Sequence, residues 1–74
     1  MIFTRLNDVC QVSDCKHYAI VRIGMPKGLL YELWAGKERV MHEGPIAEHD
    51  YEARKLAVVR LTESAERHAQ RVAA

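Results

Sequence analysis

Residues 29–43 read Leu-Leu-Tyr-Glu-Leu-Trp-Ala-Gly-Lys-Glu-Arg-Val-Met-His-Glu. Two alternating runs flank Gly36-Lys37. Glycine in the first position of a two-residue connection accepts the positive φ that a type II′ hairpin turn requires. The segment therefore predicts a tight β-hairpin, with strands at residues 29–35 and 38–43. Successive side chains on a strand point to opposite faces, and both faces here carry apolar groups. One helix can cover only one face. A short chain built on this hairpin must bury one side of a sheet and leave the other, with Trp34, uncovered by its own helix.

The remaining segments extend this plan. Residues 17–23 are β-branched and aromatic and predict a strand. Met25-Pro26-Lys27-Gly28 predicts a turn, with proline presetting φ and glycine closing it. Residues 2–6 alternate and predict a further short strand, whereas residues 7–16 are polar and predict a loop. Gly44-Pro45 is expected to end the sheet. A helix is expected from about residue 47 to residue 72, with acidic groups at its start and Arg67 and Arg71 near its end, matching the helix dipole. The fold class is α+β: an antiparallel meander of three to four strands with one long C-terminal helix packed on one face. The expected domain is single, residues 1–74.

Register follows from the turns. Counting a three-residue loop from Met25 places Met25 opposite Leu29 and Val21 opposite Leu33. Leu33 then faces Val40, and Tyr31 faces His42. The expected core face holds Ala19, Val21, Ile23, Leu29, Tyr31, Leu33 and Val40. A one-residue slip mixes Arg22 into this face, which burial resists. At about 100° per residue the helix answers with Tyr51, Val58, Leu61, Ala65, Ala69 and Val72.

Composition narrows the functional classes. With 74 residues, a chain buries only about 60% of its unfolded surface. Hydrophobic residues at 49% and charged residues at 28% fit a globular domain. The formal charge of +1 suits neither a strong nucleic-acid binder nor an acidic DNA mimic. No apolar run approaches the roughly 20 residues needed to span a bilayer, and the N-terminus lacks the pattern of a signal peptide. A cytoplasmic protein without a membrane partner is expected.

The outward face is expected to carry Tyr18, Ile20, Arg22, Leu30, Glu32, Trp34, Arg39 and Met41. Trp34 and Arg39 oppose each other across the turn, a placement that suits guanidinium stacking on indole. Trp, Tyr, Met and Arg are enriched at interface centres. Tyr18, Ile20, Arg22, Trp34, Arg39 and Met41 are therefore the candidate partner-binding residues, for a protein partner or for a second copy in a homodimer. Two plainer readings stand beside this one: an ordinary solvent face, or a face covered by residues 2–6. Nucleic acid is the alternative partner, through stacking on the same face or through the helix stripe Arg60, Arg67 and Arg71.

Few residues point to chemistry. Cys10, Cys15 and His17 form a C-x4-C-x-H cluster whose side chains are zinc-ligand types. Zinc modules pair two such half-sites, and only one is present. Free thiols and no cofactor are expected. Cys15 and His17 share a strand-like spacing, but no oxyanion hole or phosphate-cradling loop accompanies them. The expectation is a non-enzymatic protein.

In size and layout the chain resembles compact proteins of phages and mobile elements, including some anti-CRISPR proteins. These also combine a small sheet with helices. The resemblance implies an inhibitor that blocks a host protein by occupying its surface.

Overall fold

In the computed structural model, the runs flanking Gly36-Lys37 pair as two antiparallel strands. The full order is β1 (Phe3–Asn7), β2 (Cys10–Ser13), β3 (Tyr18–Met25), β4 (Gly28–Ala35), β5 (Glu38–Ile46) and α1 (Tyr51–Ala73). The structure describes residues 1–73; Ala74, included in the expected domain, lies outside the described residues. The strands form one antiparallel sheet in the order β1-β2-β3-β4-β5. The α+β class and the C-terminal helix are as expected, but the strands number five, not three or four.

The additional strand is β2, inside the stretch expected to be a loop. Its sequence, Cys-Gln-Val-Ser, is too short to show a period. It forms because β1 and β3 pair with it on either side. Its alternation is clear once placed: Gln11 lies opposite Ile20, while Val12 lies opposite Ala19. The β1 segment extends the sheet as an edge strand and does not fold across its outer face.

The β3–β4 register differs from expectation by one residue. Met25 pairs with Gly28, so only Pro26 and Lys27 form the connection. Ile20 then opposes Leu33, Arg22 opposes Tyr31 and Tyr18 opposes Ala35. Gly28 (φ +142°) begins β4 instead of closing the turn. Its missing side chain matters for a second reason: a Cβ there would lie 2.3 Å from the Ile46 carbonyl oxygen. The β5 chain thus crosses where only glycine leaves room.

The Gly36-Lys37 turn behaves as expected, with positive φ at Gly36 and not at Lys37. Ala35 pairs with Glu38 and Trp34 with Arg39. Beyond this pair the register shifts, and Leu33 pairs with Met41 instead of Val40. The extra residue is a β-bulge, which re-aims the chain that follows. It lets Val40 and Met41 both pack against the core. A second shift lies between the Leu29–Ile46 and Tyr31–Glu43 pairs, around Gly44-Pro45. The strand therefore continues to Ile46 instead of stopping at Gly44.

Register decides the core. Tyr18, Ile20, Tyr31, Leu33 and Ala35 are buried against Ala57, Leu61 and Ala65 of α1. Leu33 and Leu61 are fully buried, and each such side chain contributes about 2 kcal/mol of apolar transfer. The helix lies across β3, β4 and β5. The expected β3 set, Ala19, Val21 and Ile23, faces away. Tyr18 and Ile20 are bulkier than Ala19 and Val21, so this choice buries more apolar area. Arg22 joins the helix side only half-buried, with an aliphatic stem suited to that position.

The helix starts at Tyr51, four residues later than expected, because Asp50 caps it. Its Oδ1 accepts the Ala53 N–H at 3.2 Å. Of the expected stripe, Leu61 and Ala65 are buried, while Tyr51 and Val72 are exposed. Two hydroxyls pin α1 to the sheet. Tyr31 Oη accepts from Arg54 Nε at 3.0 Å, and Tyr18 Oη lies 2.7 Å from His68 Nδ1.

Two glycines of the β3–β4 hairpin provide a matched test. A Cβ on Gly24 meets nothing within 4 Å, whereas one on Gly28 collides with backbone. Gly28→Ala is expected to lower unfolding stability by at least about 2 kcal/mol, and Gly24→Ala to change it by less than about 0.5 kcal/mol. Urea unfolding followed by circular dichroism measures both.

Candidate functional site

The face away from α1 is built by residues that pair across strands. Val12 lies opposite Ala19, and Cys10 opposite Val21. Val21 in turn opposes Glu32, Ala19 opposes Trp34, and Ile23 opposes Leu30. These side chains share one side of the sheet, and none belongs to the buried core cluster. Among the described residues, no second layer lies on this side. The result is an apolar sheet surface spread over β2, β3 and β4.

A polar node sits within it. Glu32 is only 6% exposed although it lies on the open face. Trp34 Nε1 donates to its Oε1 at 3.2 Å, and Arg39 Nη1 donates to its Oε2 at 2.8 Å. The expected stacking of Arg39 on the indole is thus replaced by a shared carboxylate. Arg39 holds the Glu32 carboxyl below the usual carboxylate range against the opposing cost of burial, with the Trp34 N–H and the charge of His42 helping. The two hydrogen bonds fix Trp34 and Arg39 relative to Glu32.

The other candidate residues are placed differently. Tyr18 and Ile20 are each 3% exposed, under α1. Met41 packs against the same core. These three cannot present their side chains on the open face, and the one-residue register shift and the bulge are the reasons. Arg22 also turns to the helix side, where it lines a groove against α1. Trp34 and Arg39 keep their expected position. Sequence reasoning assigned Ala19 and Val21 to the core face and Val12 to a loop; their place on this face follows from the β3–β4 register and from the formation of β2.

The helix arginines are partly engaged. Arg60 Nη1 meets Glu43 Oε1 at 3.2 Å, and Arg67 Nη2 donates to Ser64 Oγ at 3.1 Å. Arg71 is exposed in the last turn.

Cys10, Cys15 and His17 do not converge on a metal site. Among the described residues no group of three or more His, Cys, Asp or Glu side chains could hold an ion. Cys10 belongs to β2, while Cys15 lies in the turn leading to β3; both thiols are free. Ser13 is the residue that organises this turn. Its Oγ accepts the Tyr18 N–H at 3.1 Å and lies 3.2 Å from Cys15 Sγ. Ser13 Oγ and Cys15 Sγ share that contact as a hydrogen bond in which either atom can donate. That bond, with a backbone bond from His17, lowers the Cys15 thiol from its ordinary value.

No protein family matches this chain, and no curated protein or solved structure is significantly similar to it.

Two measurements check this geometry. Glu32 is favoured as a carboxylate in the folded protein. Its contribution to stability is therefore full above the unfolded-chain value of about 4.3 and is lost as pH falls through the lower folded value. Glu32→Gln is expected to cost about 1 kcal/mol near neutral pH, and the gap from the parent protein should close in acid. Thermal unfolding between neutral and acidic pH reads this. For the thiols, iodoacetamide is expected to alkylate Cys15 faster than Cys10 in the folded protein. Mass spectrometry of timed digests should show that preference disappear in denaturant.

Proposed function

We propose that this chain is a small, non-enzymatic protein-binding module whose contact surface is the open sheet face. The observation that carries the reading is the Trp34–Glu32–Arg39 node, held by two hydrogen bonds in the midst of apolar side chains. Trp and Arg dominate binding hot spots when they are anchored and surrounded by groups that exclude water. A partner closing over this face would bury Val12, Ala19, Val21 and Leu30 around the node and strengthen its hydrogen bonds by removing solvent. Pre-orientation also lowers the entropy lost on association. The resemblance in size and layout to phage and mobile-element proteins implies the same mode of action, in which a host protein is blocked by occupation of its surface.

A photo-crosslinking residue replacing Val21 tests this reading. Irradiation in the native cell is expected to give a discrete adduct with a different chain, and Trp34→Ala should abolish it while circular dichroism stays unchanged. Loss of the folded state in Trp34→Ala would make Trp34 a core residue and end the proposal. An adduct only with a second copy, with twice the chain mass in light scattering, would assign the face to a homodimer instead.

A further inference from the structure

The sheet side that faces α1 holds a second feature, unconnected with the open face. Between the N-terminal half of α1 and the β1–β2 turn lies a groove of about 600 Å³. Ile20 and Tyr31 form part of its lining on the sheet, and Tyr51, Val58 and Val59 line it on the helix. Four cationic side chains also line it, Arg5, Arg22, Arg54 and Lys55, against Asp8 as the one carboxylate. That concentration is uneven for a chain whose formal net charge is +1.

The cations are not equally available. Arg5 is paired with Asp8 at 3.0 Å. Arg54 is anchored, with Nε on Tyr31 Oη at 3.0 Å and Nη1 on the Glu48 carbonyl at 2.8 Å. Among the described residues, Arg22 and Lys55 have neither a side-chain hydrogen bond nor an ion pair to the protein. Arg22 stands directly across from Tyr31 on the neighbouring strand. Tyr31 Oη accepts from Arg54, a bond that leaves its own proton to donate. Arg22, Tyr31 and Arg54 therefore bring three donor side chains to the groove beside an apolar lining.

We propose that this groove binds a small amphipathic anion, with its anionic head on Arg22, Tyr31 and Arg54 and its apolar body against Ile20 and Val58. The volume lies within the range of about 300–1,000 Å³ typical of small-ligand sites, which combine apolar walls with a few convergent polar groups. Charge complementarity selects the anion, because guanidinium donors to an ionised acceptor make the stronger class of hydrogen bond. The mixed lining selects an apolar body over a bare inorganic ion. The groove explains why a face otherwise devoted to burial admits Arg22: the residue sits where the helix no longer covers the sheet.

The probe is 8-anilino-1-naphthalenesulfonate, a fluorescent aromatic body with one sulfonate. Its neutral counterpart is N-phenyl-1-naphthylamine. Saturable one-to-one binding of the anion is expected, with amide chemical-shift changes centred on Arg22, Tyr31 and Arg54. The neutral compound should bind about tenfold more weakly, the loss expected for one charged hydrogen bond. Arg22→Gln should weaken the anion by a similar factor. Lys55→Gln, at an exposed helix position, should weaken it severalfold without touching the fold. Equal affinity for the two compounds, or unchanged affinity in both variants, would overturn the proposal. So would shifts centred on Ala19, Val21 and Trp34, because they place the probe on the open face. Displacement by inorganic sulfate at equal concentration would reduce the groove to a simple anion site. Displacement by a thymidine dodecamer with steep salt dependence would assign the cations to nucleic acid.

Discussion

The two-residue connection at Pro26 and Lys27 is the constraint on which the rest of this protein depends. Because side chains alternate along a strand, the length of that connection decides which half of β3 faces the helix. Pairing Met25 with Gly28 sends Tyr18 and Ile20 into the core and leaves Ala19, Val21 and Ile23 outside. Gly28 makes this pairing feasible, since any side chain there would strike the Ile46 carbonyl. A backbone contact between β4 and β5 thus sets which apolar residues are buried on β3.

Two surfaces with different chemistry follow from that one choice. Outside, the smaller β3 residues lie flat beside Trp34, and the buried Glu32 carboxylate gathers Trp34 and Arg39 into a fixed arrangement. Inside, Arg22 arrives on the core side at the edge of the helix footprint, next to Tyr31 and Arg54. A single helix cannot cover five strands. The sheet is therefore covered where β3, β4 and β5 meet α1, and a groove remains toward the β1–β2 turn. The core tyrosines serve both ends of the helix, with Arg54 satisfying one hydroxyl and His68 beside the other. Buried hydroxyls are costly without partners, so these contacts also orient α1 on the sheet.

Much of the architecture was legible in local patterns. The Gly36-Lys37 turn, the Trp34–Arg39 pair, the α+β class and the single C-terminal helix each follow from short-range rules of turn chemistry and periodicity. The strand β2 was not legible, because four residues carry no period and its stability comes from neighbours on both sides. The bulge at Val40 was also hidden. It depends on packing two side chains against one core, and nothing near Arg39 or Val40 signals it. For the candidate site, Trp34 and Arg39 were readable because they sit beside a turn of known length. Tyr18, Ile20, Arg22 and Met41 were placed on the wrong side because their orientation passes through a turn or a bulge that local rules left open.

By itself, then, the sequence determined that a hairpin would form at Gly36-Lys37, that a long helix would follow, and that one sheet face would lack cover. Those outcomes rest on φ preferences, side-chain period and the number of helices, all of which are local or countable. Only the tertiary structure decided which residues occupy each face. A strand with apolar groups on both sides is consistent with two registers. The choice between them was made by total buried volume, by the approach of Ile46 to Gly28 and by the partner found for Tyr18, none of which is a property of neighbouring residues in the chain.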